Sequence, residues 1–186
     1  SRAEWVSPKP GKDMNEPEVA DGRKVILDDT DHLWGIGGDR FWAWKSFCRG
    51  RNPLFMDPYD SKSIWIDELK NWDPDDDRWH SLRRALGHMG RLAKSVDLAA
   101  LTPRGELVSS GYCLAAADSV KKPTIIAYQP HGGTLSVDLS AWSGELQLRW
   151  INPDSGEVKL ASFVSCGAKV QLTPPFEPDA VAVISA

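Results

Sequence analysis

The hydrophobic pattern of this chain changes period near residue 100, and this change constrains the fold more than any other feature. Before it, two short apolar runs alternate with two segments of helical periodicity over residues 24–97. That order predicts a βαβα unit with parallel strands. After it, about seven short strand-like runs are separated by turn signals, which is typical of an antiparallel β-sandwich. We therefore predict an α+β chain in two parts, residues 1–100 and residues 101–186.

In the first part, the β-branched run Lys24–Asp28 predicts a strand buried on both faces. A second short apolar run begins at Asn52 and predicts the next strand. Residues 7–23 are rich in Pro and Gly among charges, so we expect a long surface loop there. Two parallel strands alone do not make a stable sheet, so this part is expected to need neighbouring strands.

Two helices are predicted between and after these strands. Asp39 can cap the first, which is expected to end at Gly50. The second has apolar residues at steps of three and four over residues 79–96, which predicts one apolar face. Trp42 and Trp44 fall on different sides of the first helix, so at least one of them is expected to be buried.

The second part is expected to be built from short strands joined by Pro, Gly and Asn turns. The predicted strands are 107–114, 123–128, 134–139, 146–151, 158–164, 169–172 and 180–184. Its aromatic residues Tyr112, Trp142 and Trp150 fit either core packing, which we favour, or an exposed carbohydrate-binding surface.

Charge and hydropathy exclude two classes of partner. The chain has 22 Lys and Arg against 26 Asp and Glu with no basic stripe, which argues against nucleic acid. No apolar run approaches the roughly 20 residues that a membrane-spanning helix needs. No signal peptide is visible, but the chain begins Ser-Arg-Ala without Met. Its location is thus unknown, with secretion or a periplasmic location left open for a longer form.

The three cysteines, Cys48, Cys113 and Cys166, are odd in number and widely spaced. This favours buried reduced thiols over a disulfide framework or a metal site. A bridge between Cys113 and Cys166 remains an alternative if the protein is exported. The glycine-rich segment at residues 35–40 lacks the third glycine of a dinucleotide fingerprint, so we expect a tight turn and no cofactor.

Acidic residues are densest at the end of the first predicted strand. Alternation along a strand directs Asp29 and Asp31 to one side and Asp28 and Thr30 to the other. Asp57 follows the second strand and would converge on the same edge, where parallel α/β folds build their active sites. Paired carboxylates at such an edge can serve glycoside hydrolysis.

His32 and Trp34 follow the acidic cluster, and Trp34 could offer a flat face to a sugar ring. A structural role is an equal alternative, in which the acids bind Arg40 or Arg49 and hold a turn. A metal site is the weakest reading, because no ligand spacing supports one. We therefore predict no metal.

Several longer motifs resemble one family. Residues 25–35 and 52–59 are similar to the end of an apiosidase-like (β/α)8 glycoside hydrolase. Residues 97–105 and 111–115 resemble the junction into the C-terminal β domain of that family, which is often labelled a collagen-binding domain of a collagenase. The remaining residues that resemble this β domain are Trp150, Asn152-Pro153, Gly156, Pro175-Phe176 and Asp179.

The resemblance implies that residues 24–97 are the seventh and eighth βα units of a barrel and that six units lie upstream. The acid/base of related barrels follows the fourth strand and has no counterpart here. The nucleophile is expected as a Glu near the end of the seventh strand, where this chain offers Asp29 or Asp31. His32, Trp34 and Asp57 would then contact the substrate.

We accordingly predict the C-terminal fragment of a glycoside hydrolase-like protein that acts on plant-type or complex glycans and is inactive alone. Its partners would be a glycan and either the missing barrel units or other copies of itself. The alternative is a non-catalytic β-sandwich module that binds carbohydrate or protein, or a purely structural accessory domain.

Overall fold

The computed structural model describes residues 2–9, 15–30, 38–56, 73 and 75–186. The helices are α1 (Arg40–Cys48) and α2 (Asp77–Ser95). The strands are β1 (Trp5–Val6), β2 (Val25–Asp29), β3 (Asn52–Leu54), β4 (Thr102–Pro103), β5 (Cys113–Ala115), β6 (Thr124–Gln129), β7 (Leu135–Asp138), β8 (Glu145–Ile151), β9 (Val158–Ser165), β10 (Lys169–Leu172) and β11 (Ala180–Ser185). Short 3₁₀ turns lie at Leu98–Ala100 and Gly105–Leu107.

The first sheet has three parallel strands in the order β1-β2-β3. The predicted parallel pair of β2 and β3 is thereby confirmed: β2 lies within one residue of its predicted bounds, and β3 begins at Asn52 as predicted but ends at Leu54, before the apolar run does. Strand β1 was not predicted, because two residues next to a Pro-rich stretch are too short to show periodicity. In register, Trp5 pairs with Val25 on one side of β2, and Leu54 pairs with Asp29 on the other.

Helix α1 begins and ends where its capping residues predict. The Asp39 carboxylate accepts a hydrogen bond of 2.8 Å from the Trp42 backbone N–H, which satisfies a free donor of the first turn. Gly50 follows the helix with a φ of +76°, a left-handed conformation that favours glycine. Both Trp42 and Trp44 are buried, since α1 lies between two layers.

Helix α2 is amphipathic, as its spacing predicts. Asp76 caps it by accepting from the Arg78 N–H at 2.7 Å, and its apolar face buries Leu82 and Met89. Trp79, in its first turn, stacks on Phe55 just after β3 with 5.5 Å between ring centroids. This stacking fixes the start of α2 next to the end of the parallel strands.

The second part contains two antiparallel sheets. Six strands lie in the order β4-β5-β6-β11-β8-β9, and β7 pairs with β10. A cluster of buried side chains, including Trp142 and Trp150, fills the space between the two sheets. Six of the seven predicted strands are confirmed. The predicted continuous strand 107–114 is wrong, because Gly111 turns the chain at a φ of +79° and the strand begins only at Cys113.

The six-stranded sheet is covered on its other face by α1 and α2. Tyr112, Ile126, Tyr128 and Val183 pack with the apolar residues of both helices in a single cluster. Trp44 lies over Tyr128 with 6.1 Å between ring centroids. The central strands are therefore buried on both faces, which explains the continuous apolar sequence of β11.

All three cysteines are free thiols. Cys48 and Cys113 are buried as predicted, whereas Cys166 is only partly buried. Burial raises the pKa of Cys48 and Cys113, so both are held as unreactive thiols. In the described part of the chain, no helix is long and apolar enough to cross a membrane.

Candidate functional site

The end of β2 carries the only described members of the acidic cluster. Asp28 faces the helical layer, where its Oδ1 lies 3.0 Å from Nη1 of Arg51, just after α1. The residue is 7% exposed, and this burial raises the pKa of Asp28 despite the opposing effects of Arg51 and the Ser46 hydroxyl. Asp28 thus has the structural role predicted as the alternative, with Arg51 as its partner in place of Arg40 or Arg49.

Thr30 is also turned inward and joins the ends of the two parallel strands. It is fully buried, and its Oγ1 accepts a 2.9 Å hydrogen bond from the Met56 backbone N–H. Nearby, Asn52 Nδ2 donates to the Ile26 carbonyl at 3.0 Å. Together these bonds fix β3 against β2, the Asn52 bond at the start of β3 and the Thr30 bond at the carboxyl edge where the candidate site lies.

Asp29 projects from the opposite face of the sheet. Because side chains alternate along a strand, a residue between Asp28 and Thr30 must point away from the helices. The register partners on this face are exposed apolar residues: Leu54 is 44% exposed and Trp5 is 59% exposed. The burial of Asp28 and Thr30 agrees with the predicted separation of Asp29 from its two neighbours. This face is open and largely apolar, with Asp29 at its carboxyl end.

The other predicted site residues, Asp31, His32, Trp34 and Asp57, lie outside the described residues. One described carboxylate can orient a sugar hydroxyl or act as a nucleophile, but glycoside hydrolysis needs a second one across the scissile bond. Among the residues that the structure describes, no group of three His, Cys, Asp or Glu side chains could hold a metal ion.

A buried ion pair that the sequence did not reveal joins α1 to β11. Nη2 of Arg40 lies 3.0 Å from Oδ1 of Asp179, and Nη1 donates to the Ser81 hydroxyl at 3.2 Å. The Tyr128 hydroxyl donates to Oδ2 of Asp179 at 2.9 Å. Burial and the adjacent Asp179 carboxylate both raise the pKa of Tyr128, which stays a neutral donor.

Asp154, in the turn between β8 and β9, continues this network onto α2. Its Oδ1 accepts from the Ser81 hydroxyl at 2.7 Å and from Nη2 of Arg84 at 2.8 Å. Burial opposes ionisation, yet these two hydrogen bonds keep the pKa of Asp154 below its usual value. The sequence predicted a turn here, but no local pattern pairs residue 154 with a helix 70 residues earlier.

The aromatic residues proposed as an alternative sugar surface are in the core. Tyr112, Trp142 and Trp150 are 7%, 5% and 1% exposed. They therefore provide no flat platform for a ligand, and the favoured prediction of core packing is confirmed.

The sequence of the chain matches no protein family and no curated protein. Its fold is similar to solved structures of glycoside hydrolases. One is a glycoside hydrolase family 5 protein from Bacteroides vulgatus ATCC 8482, with a TM-score of 0.61 and 13% identity over 89% of this chain and 42% of that one. A second, described as a glycoside hydrolase, gives a TM-score of 0.57 and 13% identity over 89% of this chain and 43% of the other.

At this identity the likeness shows the fold alone, which is glycoside hydrolase-like. The chain spans less than half the length of either structure. A mixed α/β chain of this extent, with three parallel strands in chain order, is consistent with part of a barrel.

Proposed function

We propose that this chain is the C-terminal part of a glycoside hydrolase-like protein, in which β1, β2 and β3 with α1 and α2 complete a (β/α)8 barrel. Residues 101–186 would form its accessory β-domain. The observation that carries the proposal is the position of Asp29, at the carboxyl end of a central parallel strand and on the face away from the helices.

The geometry of a (β/α)8 barrel explains why the position of Asp29 points to an active site. In a (β/α)8 barrel the strands follow one another in chain order, helices cover the outside, and active sites lie at the carboxyl ends of the strands. The order β1-β2-β3 satisfies the first condition, since a doubly wound sheet would reverse direction at a switch point. The exposed face with Trp5, Val25 and Leu54 would then be the barrel interior, buried by the remaining strands.

In this proposal Asp29 or Asp31 is the nucleophile or orients the substrate, and His32, Trp34 and Asp57 form the walls around the sugar. The missing acid/base would come from a strand contributed by the rest of the protein. The resemblance to apiosidase-like enzymes supports plant-type or complex glycans as the substrate class. The chain alone holds too few barrel strands to assemble that site, so we expect it to be inactive by itself.

The test compares the 186-residue chain with the longer polypeptide that the proposal predicts, on a panel of 4-nitrophenyl glycosides. We expect no turnover by the chain alone and turnover by the longer protein. Asp29→Asn in the longer protein should lower kcat by about 100-fold or more, as for loss of a catalytic carboxylate. Asp97→Asn, an exposed acid after α2, is the matched control and should leave kcat unchanged. Activity of the chain alone, or full activity of both Asp29→Asn and Asp31→Asn in the longer protein, would overturn the proposal.

The competing function is that of an accessory module without catalysis. The burial of the central strands on both faces favours a purely structural version of it, because the sandwich aromatics Tyr112, Trp142 and Trp150 lie in the core. Retention of the whole chain on insoluble xylan, cellulose or collagen would instead support a binding module. A further alternative is that several copies of this chain together complete one barrel. Static light scattering tests it, because a monomeric mass would contradict it.

A further inference from the structure

Two adjoining clefts flank the N-terminal end of α1, and we call them together the rim groove. One has a volume of about 400 Å³ and the other about 290 Å³. Both include Asp39 and Phe41, so they meet at the first turn of the helix. The larger cleft is also lined by Arg40, Asp77, Arg78 and Asp154. The smaller is also lined by Lys45, Pro130, His131 and Pro178.

The rim groove lies at the same end of the βα units as Asp29. Each helix follows its parallel strand, so it starts at the edge where that strand ends. The groove is therefore at the side of the fold where the proposed catalytic mouth opens. Asp29, the described residue of that mouth, is not among the described residues that line the groove.

Both parts of the chain build its walls. The start of α1 and the first turn of α2 supply Asp39 and Arg78, whereas loops of the antiparallel sheets supply further lining residues. His131 comes from the loop after β6, Asp154 from the turn after β8, and Pro178 from the segment before β11. Loops held by a rigid scaffold are where binding residues concentrate.

The polar groups of the groove are already fixed by hydrogen bonds. Asp39 caps α1, Arg40 is held by Asp179, and Asp154 is held by Ser81 and Arg84. A ligand would meet side chains whose conformational entropy is already lost on folding, which reduces the cost of binding. Arg78 stacks over the Trp79 ring at 3.7 Å, so its guanidinium is also oriented.

The charges in the larger cleft balance one another. Among the described residues that line it, the three carboxylates of Asp39, Asp77 and Asp154 are matched by the guanidinium groups of Arg40, Arg78 and Arg84. An anion would be repelled by the first set and a cation by the second. A neutral molecule rich in hydroxyl groups can donate to the carboxylates and accept from the guanidinium groups at the same time.

The smaller cleft adds apolar surface to this polar set. Pro130, Pro178 and Phe41 line it together with the cationic Lys45. Apolar walls with a few fixed polar groups are typical of small-molecule sites, and both volumes are near the lower part of their usual range. The C–H faces of a pyranose ring would pack on such walls while its hydroxyl groups bind at the edges.

We infer that the rim groove binds a neutral glycan chain, as a subsite formed jointly by the helix N-termini and the loops of the antiparallel sheets. This inference rests on the proposed function for the class of ligand. Arg78 in the larger cleft and His131 in the smaller one are its specificity-determining residues.

The test is calorimetric titration of the 186-residue chain with cellohexaose, mannohexaose and xylohexaose, and with hexagalacturonate as the charged counterpart. We expect at least one neutral hexasaccharide to bind and the polyanion not to bind. Arg78→Ala and His131→Ala should each raise Kd by about tenfold, which corresponds to about 1.4 kcal/mol. Lys94→Ala, which removes an exposed cation from the last turn of α2, is the control and should leave Kd unchanged.

The outcomes separate this inference from the function on which it rests. Asp29→Asn should leave Kd unchanged, because Asp29 is not part of the groove. If Asp29→Asn abolishes binding and Arg78→Ala does not, the glycan binds at the strand ends; the groove inference is then overturned while the proposed function stands. Absence of binding by every neutral hexasaccharide up to about 5 mM also overturns the groove inference. The glycoside assay decides the proposed function independently.

Discussion

Nη2 of Arg40 and Oδ1 of Asp179 lie 3.0 Å apart although 139 residues separate them in the chain. The pair connects the first turn of α1 to the start of β11, so it joins the helical layer to the six-stranded sheet. Burial acts to lower the pKa of Arg40, and the Asp179 carboxylate outweighs it, so the pKa is raised and the charge is kept. The pair therefore holds the rim groove and the sheet in one arrangement.

Removing one partner of this pair should be costly. Asp179 is almost fully buried, and its loss leaves the Arg40 charge and the Tyr128 hydroxyl without their acceptor. We expect Asp179→Ala to lower the free energy of unfolding by about 3–5 kcal/mol, measured by urea denaturation. The milder Asp179→Asn keeps one acceptor and should lose less.

The control for this prediction is an exposed ion pair. Asp21→Ala removes the partner of Arg23 at the surface, where pairing adds little, and should leave the free energy of unfolding nearly unchanged. The double variant Arg40→Leu with Asp179→Leu should cost less than the sum of the single changes, because no unpaired charge remains. Full additivity would contradict the coupling.

Replacement by alanine should change the stability of the protein in opposite directions at Gly50, which follows α1, and at Gly90, which lies inside α2. Gly50 has a φ of +76°, and a Cβ there would lie 2.7 Å from Cγ of Pro103. We expect Gly50→Ala to destabilise the protein by about 1–2 kcal/mol from the backbone strain alone. Gly90 lies inside α2 with open space around it, so Gly90→Ala should stabilise by about 0.5–1 kcal/mol. Thermal denaturation of both variants checks this, and a shared sign would contradict it.

How far the sequence predicts this structure depends on whether the deciding signal is local. The ends of α1 were predictable because Asp39 and Gly50 act on their immediate neighbours. The opposite orientations of Asp28 and Asp29 followed from strand alternation. The Arg40–Asp179 pair could not be predicted, because nothing near either residue specifies a partner 139 positions away.

The candidate site was predictable to the same extent. The strand end that bears Asp29 was identified correctly from one apolar run and the acidic residues that follow it. The rim groove was not, because its walls come from helix starts and loops that lie together only after the sheet has packed on the helices. Such a surface depends on tertiary packing and leaves no periodic trace in the sequence.

Asp28 should make stability fall as the pH rises through the acid range. The pKa of Asp28 is raised in the folded protein. As the pH increases from about 4, the Asp28 carboxyl group therefore ionises in the unfolded chain before it ionises in the folded protein, and the unfolded state is favoured. The free energy of unfolding of the native protein minus that of Asp28→Asn should therefore decline from about pH 4 upward and level off above the folded pKa.

Asp21, an exposed acid, should show a pH dependence of the free energy of unfolding opposite in sign to that of Asp28. The Arg23 backbone and side chain lower the pKa of Asp21, so the corresponding difference for Asp21→Asn should increase as the pH rises toward the unfolded pKa, near 4, and stay level above it. Urea denaturation between pH 3 and 7 measures both differences. A difference for Asp28→Asn that increases with pH would mean that Arg51 outweighs burial.

Glu16 should stabilise the packing of residues 15–20 against α1, and this stabilisation should depend on pH. Its carboxylate pairs with Lys45, lies 3.1 Å from Nη2 of Arg49, and accepts from the Tyr112 hydroxyl at 2.5 Å. Burial opposes ionisation, but these partners lower the pKa of Glu16, so its stabilisation is present above the unfolded pKa and is lost as the pH falls through the lower folded value. The readout is the Ala20 backbone N–H, which donates to the Arg49 carbonyl at 2.9 Å.

Hydrogen exchange at the Ala20 amide should accelerate in Glu16→Gln by about threefold to tenfold, a modest factor because Glu16 is partly exposed to solvent. Glu18→Gln, two residues along and exposed, is the matched control and should exchange like the native protein. The rate ratio of Glu16→Gln to native should approach one at acid pH, where the native carboxyl group is also protonated. A ratio that stays constant from neutral to acid pH would show that the charge of the Glu16 carboxylate does not stabilise the packing of residues 15–20 against α1.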